Sequence, residues 1–368
     1  MKKVLSSLLL LLSFHAQLSA QNVTTYSQST PDDGIAVDKE GNIYCSHYVG
    51  DAVIKYSTTG EASRFVSGLN TPNGIAFNSN EELYVCDGQG NKIYVFDSNG
   101  IELSVYSNPG HPSGIIKAYD SETMIFTEYT NNTINTITPD GTITEISSDP
   151  LLSGPVGLAY SETNELYVGN YNDRKVYKVD GNGSLTYVAT IGNSSNLGFI
   201  SYGNGSIWGT VLGEHKIYKV NPNSIDDVEV FAGSNAGAKD GPINDATFNQ
   251  PNGIYFDSDK NSLYVTDFGT KNLRIIDLGE TTSTLDSKKL GTISISPNPF
   301  DNEFGVRLPN ESILPCEIEI FNSEGISVKK EKLHTLSHNF DTKNWSSGNY
   351  FIKLTSERYS ETKMVIKK

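Results

Sequence analysis

The sequence predicts an all-β protein whose main part is a ring of repeated four-stranded units, and three observations support this prediction. A polar turn that ends in glycine recurs six times between residues 31 and 253. Short apolar segments bounded by turn residues follow each recurrence, as expected of β-strands. Four of the five intervals between the glycines are 40 to 43 residues long, which is the length of one blade of a β-propeller. We therefore expect a six-bladed β-propeller.

The recurring glycine marks the start of the first strand in each unit. First strands crowd around the axis of a propeller, where a side chain would obstruct the neighbouring backbone. Five of the six turns also contain proline, which suits a strand start because no ladder N–H is needed there. The glycines are Gly34, Gly74, Gly114, Gly157, Gly198 and Gly253.

The second strand of each unit is apolar at consecutive positions, as in residues 43–45 and 83–85. A strand that is covered on both faces loses the polar alternation of a half-exposed strand. Packing between the faces of neighbouring units would produce this pattern. The third strand alternates, as in residues 93–96, and a variable fourth strand follows.

The two ends of the ring are predicted to meet. The sixth unit has three strands and ends near Leu278, while residues 23–26 precede the first unit. We expect this N-terminal segment to supply the missing strand, because a closed ring has no open edge. The last interval, 55 residues long, carries an insertion at about residues 232–249.

Residues 1–20 have the pattern of a signal peptide. They begin with Lys2 and Lys3, continue with a short apolar run and end in a small-residue cleavage sequence. A buried N-terminal helix is the alternative. No later segment has the length of a transmembrane helix.

A polar linker at residues 281–292 separates the predicted propeller, residues 21–280, from a C-terminal domain at residues 293–368. Alternating segments such as 316–321 and 350–354 are separated by turn residues. This pattern predicts a small β-sandwich.

Acidic residues are concentrated in the predicted propeller. Residues 21–280 contain 14 basic and 32 acidic residues, and the whole chain has a net charge of −15. Such a field repels phosphate backbones and anionic membranes, which argues against nucleic acid as a partner. The same field attracts cations. An acidic surface that only keeps the protein soluble would explain the net charge equally well.

The three cysteines are too few and too scattered for a disulfide framework or a zinc motif. Cys45 and Cys86 fall on second strands, where they are expected to be core residues. The third is Cys316.

Residues 21–280 resemble the NHL-repeat propellers and, more loosely, the SMP-30/gluconolactonase family. Residues 233–241 (GSNAGAKDG) and 246–254 (ATFNQPNGI) carry the resemblance. The second family implies a lactonase whose divalent metal is held by Glu, Asn and Asp at the channel mouth. In that comparison Asp33 takes the position of the Glu, whereas the apolar Val156 and Leu197 depart from a full ring of ligands.

The C-terminal domain resembles the type A sorting domain of the type IX secretion system. The resemblance rests on residues 296–300 (SPNPF), residues 324–325 (EG), residues 347–354 (SGNYFIKL) and the basic C-terminus. It implies a bacterium of the Bacteroidetes group, Sec export and passage across the outer membrane by the type IX machinery. The protein would then be secreted or attached to the cell surface. An appended adhesion or Ig-like domain is the alternative.

Polar residues at one end of the channel suggest a cation site. In an antiparallel blade, the first strand starts where the second strand ends. The strand starts place Asp33, Asn73 and Asn252 together, with Asp87 and Asp267 nearby at second-strand ends. Oxygen ligands of this kind suit Ca²⁺ or Mg²⁺ rather than zinc. Asp-Gly and Asn-Gly are also turn pairs that need no metal.

A ligand-binding rim is predicted at the same end. Aromatic rings bury area while keeping a polar edge, which suits a small molecule, a glycan or a peptide. Packing between loops is the alternative. The rim residues are Tyr48, Glu128, Tyr129, Asn170, Tyr171 and Phe268.

His47 and His111 are the candidates for a general base beside a metal-bound water. A surface histidine without a catalytic role is the alternative. The sequence contains no nucleophile elbow, phosphate-binding loop or H-E-x-x-H motif.

Two functions follow from these patterns. The first is a secreted or surface-attached binding module with its ligand at the mouth of the channel. The second is a metal-dependent lactonase, or a related hydrolase or lyase. We favour binding, because the mouth lacks a complete ring of metal ligands.

Overall fold

The computed structural model describes residues 21–28, 30–107, 110–119, 121–279, 293–308, 314–356 and 359–368. The chain divides into two compact units, Met1–Glu280 and Thr281–Lys368. The predicted signal peptide and the predicted linker lie outside the described residues. Within those residues the one helix is a 3-10 turn at Leu212–Glu214, and none is long and apolar enough to cross a membrane.

The first unit begins with β1 (Asn22–Ser27), and its repeats then form antiparallel sheets whose strand order follows the chain. Sheet 1 contains β2 (Ile35–Val37), β3 (Ile43–Ser46), β4 (Ala52–Tyr56) and β5 (Ala62–Ser67). Sheet 2 contains β6 (Pro72–Phe77), β7 (Leu83–Asp87), β8 (Lys92–Phe96) and β9 (Glu102–Ser107). Sheet 3 contains β10 (Pro112–Lys117), β11 (Met124–Glu128), β12 (Thr133–Ile137) and β13 (Ile143–Ser147).

The later repeats continue this order, and the last sheet gains two further strands. Sheet 4 contains β14 (Pro155–Tyr160), β15 (Leu166–Asn170), β16 (Lys175–Val179) and β17 (Leu185–Thr190). Sheet 5 contains β18 (Leu197–Gly203), β19 (Ser206–Val211), β20 (Lys216–Val220) and β21 (Val228–Ala232). Sheet 6 has the order β22 (Gly241–Pro242), β1, β25 (Asn272–Asp277), β24 (Ser262–Asp267), β23 (Pro251–Asp257).

The first strands of the six sheets contact one another in a closed cycle of β2, β6, β10, β14, β18 and β23. A separate apolar core lies between each pair of neighbouring sheets. On β3, Tyr44 enters the core shared with sheet 2, whereas Ile43 and Cys45 enter the core shared with sheet 6. The second strands are apolar at consecutive positions because they feed two cores. This is the arrangement of a β-propeller.

The N-terminal strand completes sheet 6, as predicted. It pairs antiparallel with β25, from Asn22 opposite Asp277 to Ser27 opposite Leu273. The insertion fixes this strand, because the carboxylate of Asp240 accepts hydrogen bonds from the backbone N–H and the hydroxyl of Thr25 at 3.0 and 2.9 Å. Fully buried Arg274 donates to the same carboxylate at 2.7 Å.

The second unit contains two sheets that share one core. Phe304 and Phe340 enter this core from the first sheet, and Ile318 and Ile352 enter it from the second. The first sheet contains β26 (Ser294–Ser296), β27 (Glu303–Arg307) and β30 (Ser337–Asp341). The second contains β28 (Cys316–Asn322), β29 (Ser327–Leu333), β31 (Gly348–Ser356) and β32 (Tyr359–Lys367).

The cysteines on second strands are core residues, as expected. Cys45 and Cys86 are buried and free, and burial raises the pKa of both thiols. They therefore act as small apolar side chains in the cores between sheets.

Candidate ligand-binding site

The glycine at each strand start lies against the backbone of the next sheet. A Cβ atom added to Gly253 would lie 2.0 Å from the carbonyl oxygen of Asp33, and one added to Gly34 would lie 2.7 Å from that of Asn73. Real Cβ atoms do not approach a backbone oxygen so closely, so only glycine fits. The predicted crowding is therefore present, and it brings the strand-start residues into a ring.

Sheet 5 departs from this pattern. In the other sheets the strand-start glycine directly precedes an Ile or a Leu. The sequence pattern predicts that Gly198 takes this position in sheet 5. The pairing of Ile200 with Gly209 shows instead that Phe199 takes the glycine position. Leu197, aligned with the strand-start residues of the ring, is fully buried. The sequence does not reveal Phe199, because the turn of sheet 5 has no proline and its glycine lies two residues before the Ile, whereas in the other sheets the glycine lies one residue before the Ile or Leu.

Hydroxyl groups on the second strands connect neighbouring sheets at this end. The hydroxyl of Thr266 donates to the carbonyl oxygen of Asp33 at 2.7 Å and accepts from the N–H of Gly253 at 2.8 Å. We define these bonds from one sheet to the next as hydroxyl ties. They are also made by Ser46, Thr127 and Thr210.

The ring encloses a cavity of about 520 Å³ at the end where the first strands begin, which we define as the upper cavity. This volume lies within the range of small-molecule sites. The strand starts contribute Asp33, Asn73, Ser113, Val156 and Asn252 to its wall. The predicted aromatic residues Tyr48, Tyr129, Tyr171 and Phe268 also line it. Unpredicted contributors include Phe199, Thr130, Leu212 and Gln250.

Asp33 is the buried acid of the upper cavity. It is 1% exposed, and its Oδ1 accepts a hydrogen bond from Nδ2 of Asn252 at 2.7 Å. Burial holds the pKa of Asp33 well above its usual range, and the charge of Asp32 adds to this effect, while Lys271 opposes it. Asp32 is equally buried, but its carboxylate pairs with Nζ of Lys271 at 2.7 Å. Two adjacent acids thus differ in whether a cation pairs with them directly.

The predicted metal ligands supply one carboxylate and two amides. Asn252 presents its amide nitrogen to Asp33, and Nδ2 of Asn73 lies 3.5 Å from Oγ of Ser113. Across the described ranges, no group of three or more His, Cys, Asp or Glu side chains is placed to hold a metal ion. Because Ca²⁺ and Mg²⁺ take several oxygen ligands, the amides as oriented fit a hydrogen-bonded carboxylate better than a bound cation.

The tyrosines of the upper cavity lie close to one another and to Asp33. The rings of Tyr129 and Tyr171 meet edge to face with centroids 5.9 Å apart. Burial raises the pKa of Tyr48 and of Tyr171, and in both the charge of Asp33 adds to the rise. Both phenol groups therefore lie in the field of the Asp33 carboxylate.

Of the two candidate histidines, His111 lines the upper cavity and His47 does not. The ring of His111 lies 5.9 Å from that of Tyr129, centroid to centroid. Burial lowers the pKa of His111, and the charge of Asp87 opposes that change. Nε2 of His47 lies 3.7 Å from the carboxylate of Asp32. The structure does not bring the two histidines together in the cavity.

Residues that end the second strands hold loops instead of lining the upper cavity. The carboxylate of Asp87 accepts hydrogen bonds from the N–H groups of Asn70 and Thr71 at 2.9 and 2.8 Å. That of Asp267 accepts one from the N–H of Asn249 at 2.7 Å, and burial raises the pKa of Asp267 to about 6.

Glu128 and Asn170 require a correction, because neither lines the upper cavity as the predicted rim would require. Glu128 accepts hydrogen bonds from Asn131 and Thr133, and Asn170 donates to the carbonyl oxygen of Leu151. Both lie opposite the proline that starts the first strand of their sheet. Their side chains therefore satisfy loop groups beside the mouth.

Residues 14–239, more than half of the chain, match the model of the virginiamycin B lyase family. The chain belongs to the virginiamycin B lyase family. Residues 294–368 of this family member match a secretion-system C-terminal sorting domain. The predicted sorting domain is thus confirmed, and it directs this virginiamycin B lyase family member through the type IX system to the cell surface or out of the cell. A comparison with curated proteins yields no match.

Solved structures share the fold of this virginiamycin B lyase family member at low sequence identity. A streptogramin B lyase is 17% identical, with 70% of this chain and 98% of that chain covered and a TM-score of 0.53. An auxiliary nutrient binding protein from Bacteroides thetaiotaomicron is 14% identical over 70% and 76% of the two chains, with a TM-score of 0.60. A gluconolactonase from Xanthomonas campestris is 17% identical over 71% and 90%, with a TM-score of 0.56. These identities establish a shared fold and leave function to the site.

Proposed function

We propose that this protein is an exported binding propeller that holds a small ligand in the upper cavity. The lining of that cavity carries the proposal, because five Tyr and Phe side chains, a buried carboxylate and uncharged polar groups share one space of about 520 Å³. Aromatic and aliphatic side chains that share one concave space with placed polar groups are typical of small-molecule sites. The nutrient binding protein of the same fold is a precedent for this kind of function.

The architecture that we propose for this function has three parts. Residues 21–280 form a six-bladed propeller, consistent with the six cores between sheets. Residues 293–368 form a β-sandwich sorting domain joined by a linker at residues 281–292, consistent with two sheets over one core. Residues 1–20 form a signal peptide that is removed on export.

A thermal-shift screen of small molecules, glycans and peptides on the purified full chain tests the binding function. A ligand that binds only the folded state raises the melting temperature, and the rise grows with the logarithm of its concentration relative to its Kd. We expect Tyr129→Ala to remove the shift. Tyr119→Ala is the matched control, because Tyr119 is half exposed and lies outside the cavity. Equal shifts in wild type and Tyr129→Ala for every ligand would exclude the upper cavity.

The alternative function is a metal-dependent lactonase, or a related hydrolase or lyase. One observation favours it: His111 and Asp33 line the same cavity, so a proton acceptor and an acid face one space. The metal would be Ca²⁺ or Mg²⁺ held by Asp33, Asn73 and Asn252. Calorimetry with each cation would then show binding that Asp33→Ala weakens. Turnover of a lactone or ester that both Asp33→Ala and Asn73→Ala abolish would establish the enzyme.

The sorting domain predicts a separate result in the host. Deletion of residues 294–368 should leave the propeller in the periplasm, because the type IX secretion machinery would no longer recognise the protein. Immunoblots of periplasmic, surface and medium fractions measure this. An internal deletion in the linker, residues 283–288, is the control and should leave export intact. A tail-less propeller that still reached the medium would contradict the role of the domain.

A further inference from the structure

We propose that the ligand of the upper cavity is an organic cation, a protonated amine with an apolar body, whose ammonium group binds against the carboxylate of Asp33. This inference rests on the proposed binding function and names the class of its ligand. It begins from the charge balance of the cavity wall.

The carboxylate of Asp33 lacks a cationic partner within the part of the chain that the structure describes. The wall of the upper cavity includes no described lysine or arginine. The charge of Lys271 lowers the pKa of Asp33 in part, but its Nζ pairs with Asp32 at 2.7 Å and lies 3.9 Å from the ring centroid of Phe268. A buried carboxylate without a partner costs several kcal/mol. A ligand that brings a positive charge would remove that cost.

The groups around Asp33 could accept the hydrogen bonds of an ammonium ion that the carboxylate does not. Its remaining N–H donors would have hydroxyl oxygens as acceptors in Tyr48, Tyr171 and Ser113, which line the same cavity. Aromatic rings attract cations through their electron-rich faces. A primary or secondary amine therefore gains more here than a quaternary ammonium, which has no N–H to donate.

Other ligand classes fit less well. An anion would meet the Asp33 carboxylate and the acidic field of residues 21–280, where 32 acidic residues face 14 basic ones. A neutral glycan would bury the carboxylate further and leave its charge uncompensated. The apolar remainder of the amine would lie along Phe199, Val156 and Leu212, which also line the cavity.

Calorimetry with a matched pair of probes tests this inference on the full chain. 2-Phenylethylamine and its neutral analogue 2-phenylethanol differ in charge but hardly in shape. We expect the amine to bind about tenfold more tightly or better. In Asp33→Asn, an isosteric variant that keeps the hydrogen bond from Asn252, the two probes should bind equally. The melting temperature of each variant, measured in parallel, confirms that it is folded.

The pH dependence supplies a second readout. The groups that face Asp33 are Asp32, Lys271, Tyr48, Tyr171 and Asn252. Because burial raises the pKa of Asp33, amine binding should weaken as the pH falls through that raised pKa and the carboxylate takes up a proton. Asp33→Asn should lose this dependence. His111→Asn should keep it, which separates Asp33 from the other titrating group in the wall.

The outcomes separate this inference from the proposed function. If 2-phenylethanol binds wild type as tightly as the amine does, or if Asp33→Asn keeps the preference, the amine assignment is wrong. If neither probe binds at millimolar concentration while a glycan or peptide does and Tyr129→Ala abolishes it, the binding function stands and the amine inference fails. If nothing binds in the upper cavity, both fail.

Discussion

The two ends of the propeller channel are built from the same six strands but have opposite chemistry. The upper cavity is walled by Asp33, amide and hydroxyl groups and aromatic rings. The lower cavity, about 350 Å³ at the other end, is walled mainly by aliphatic and aromatic side chains. These include Ile35, Ile75, Ile115, Leu158, Ile200 and Ile254, with Lys117 as its one cation among the described residues. Phe199 lines both cavities and lies between them.

The two ends are also held together differently. At the lower end, apolar side chains make most of the contacts between first strands, and one hydrogen bond runs from the N–H of Phe256 to Oγ of Ser201 in the neighbouring sheet at 3.0 Å. At the upper end, hydroxyl ties such as Thr266 to Asp33 and Ser46 to Asn73 join one sheet to the next. Apolar packing needs no hydrogen-bond partners, whereas buried polar groups stabilise a fold only when each of them has a hydrogen-bond partner. A fold that places its costly polar groups at one end of a channel marks that end as functional.

The largest effect is on the free energy of unfolding, and it should differ between substitutions of the two adjacent acids at the upper end. Asp32→Asn removes the partner of Lys271, and Asp32 is fully buried, so we expect a loss of about 3 kcal/mol in the free energy of unfolding. Asp33→Asn removes a buried charge that is not paired with a cation, so we expect a gain in stability at neutral pH. Urea unfolding at pH 7 measures both.

The sign of the Asp33 effect follows from its raised pKa. A carboxyl group whose folded pKa lies above its unfolded value makes the protein less stable as the pH rises from about 4 through the folded pKa. The stability advantage of Asp33→Asn over wild type should therefore grow with pH across that interval. An advantage that is constant from pH 4 to pH 8, or a loss, would show that Asp33 is compensated in the folded protein.

The next effect concerns the hydroxyl ties. Thr266→Val keeps the shape of the side chain but leaves the N–H of Gly253 and the carbonyl oxygen of Asp33 without their hydrogen bonds. We expect a loss of about 2 kcal/mol, measured by chemical denaturation. Thr136→Val, on an exposed hydroxyl of a third strand, should change stability by less than about 0.5 kcal/mol. Equal losses in the two variants would mean that the ties are not special to the upper end.

The smallest effect is on affinity and compares the two cavities directly. Tyr171→Ala removes a ring from the upper cavity, and Tyr202→Ala removes one from the lower cavity. Any ligand found in the thermal-shift screen should bind Tyr171→Ala about tenfold more weakly, which is about 1.4 kcal/mol, and Tyr202→Ala with unchanged affinity. The reverse pattern in calorimetry would assign the ligand to the apolar end.

Much of this comparison is readable from the sequence, because backbone geometry determines it. The period near 40 residues and the glycines that admit the next backbone predict the ring, and they place Asp33, Asn73 and Asn252 at one mouth. The residues that follow the second strands, such as Tyr48 and Tyr171, reach the same mouth for the same reason.

Side-chain direction at the strand ends was not predictable. Asp87 and Glu128 turn toward loops because loop N–H groups and loop side chains need acceptors there, and the pattern of strands contains no information on those needs. Phe199 escapes the pattern for a different reason, since the glycine of sheet 5 lies one residue before the position that glycine takes in the other sheets. The difference between Asp32 and Asp33 depends on Lys271, which lies more than 200 residues away in the chain.

A crystal structure of the full chain with 2-phenylethylamine tests the central claim most directly. We predict electron density in the upper cavity, with the amine nitrogen within about 3 Å of a carboxylate oxygen of Asp33 and the phenyl group toward Phe199. Density in the lower cavity, or an amine in the upper cavity that points away from Asp33, would contradict the account.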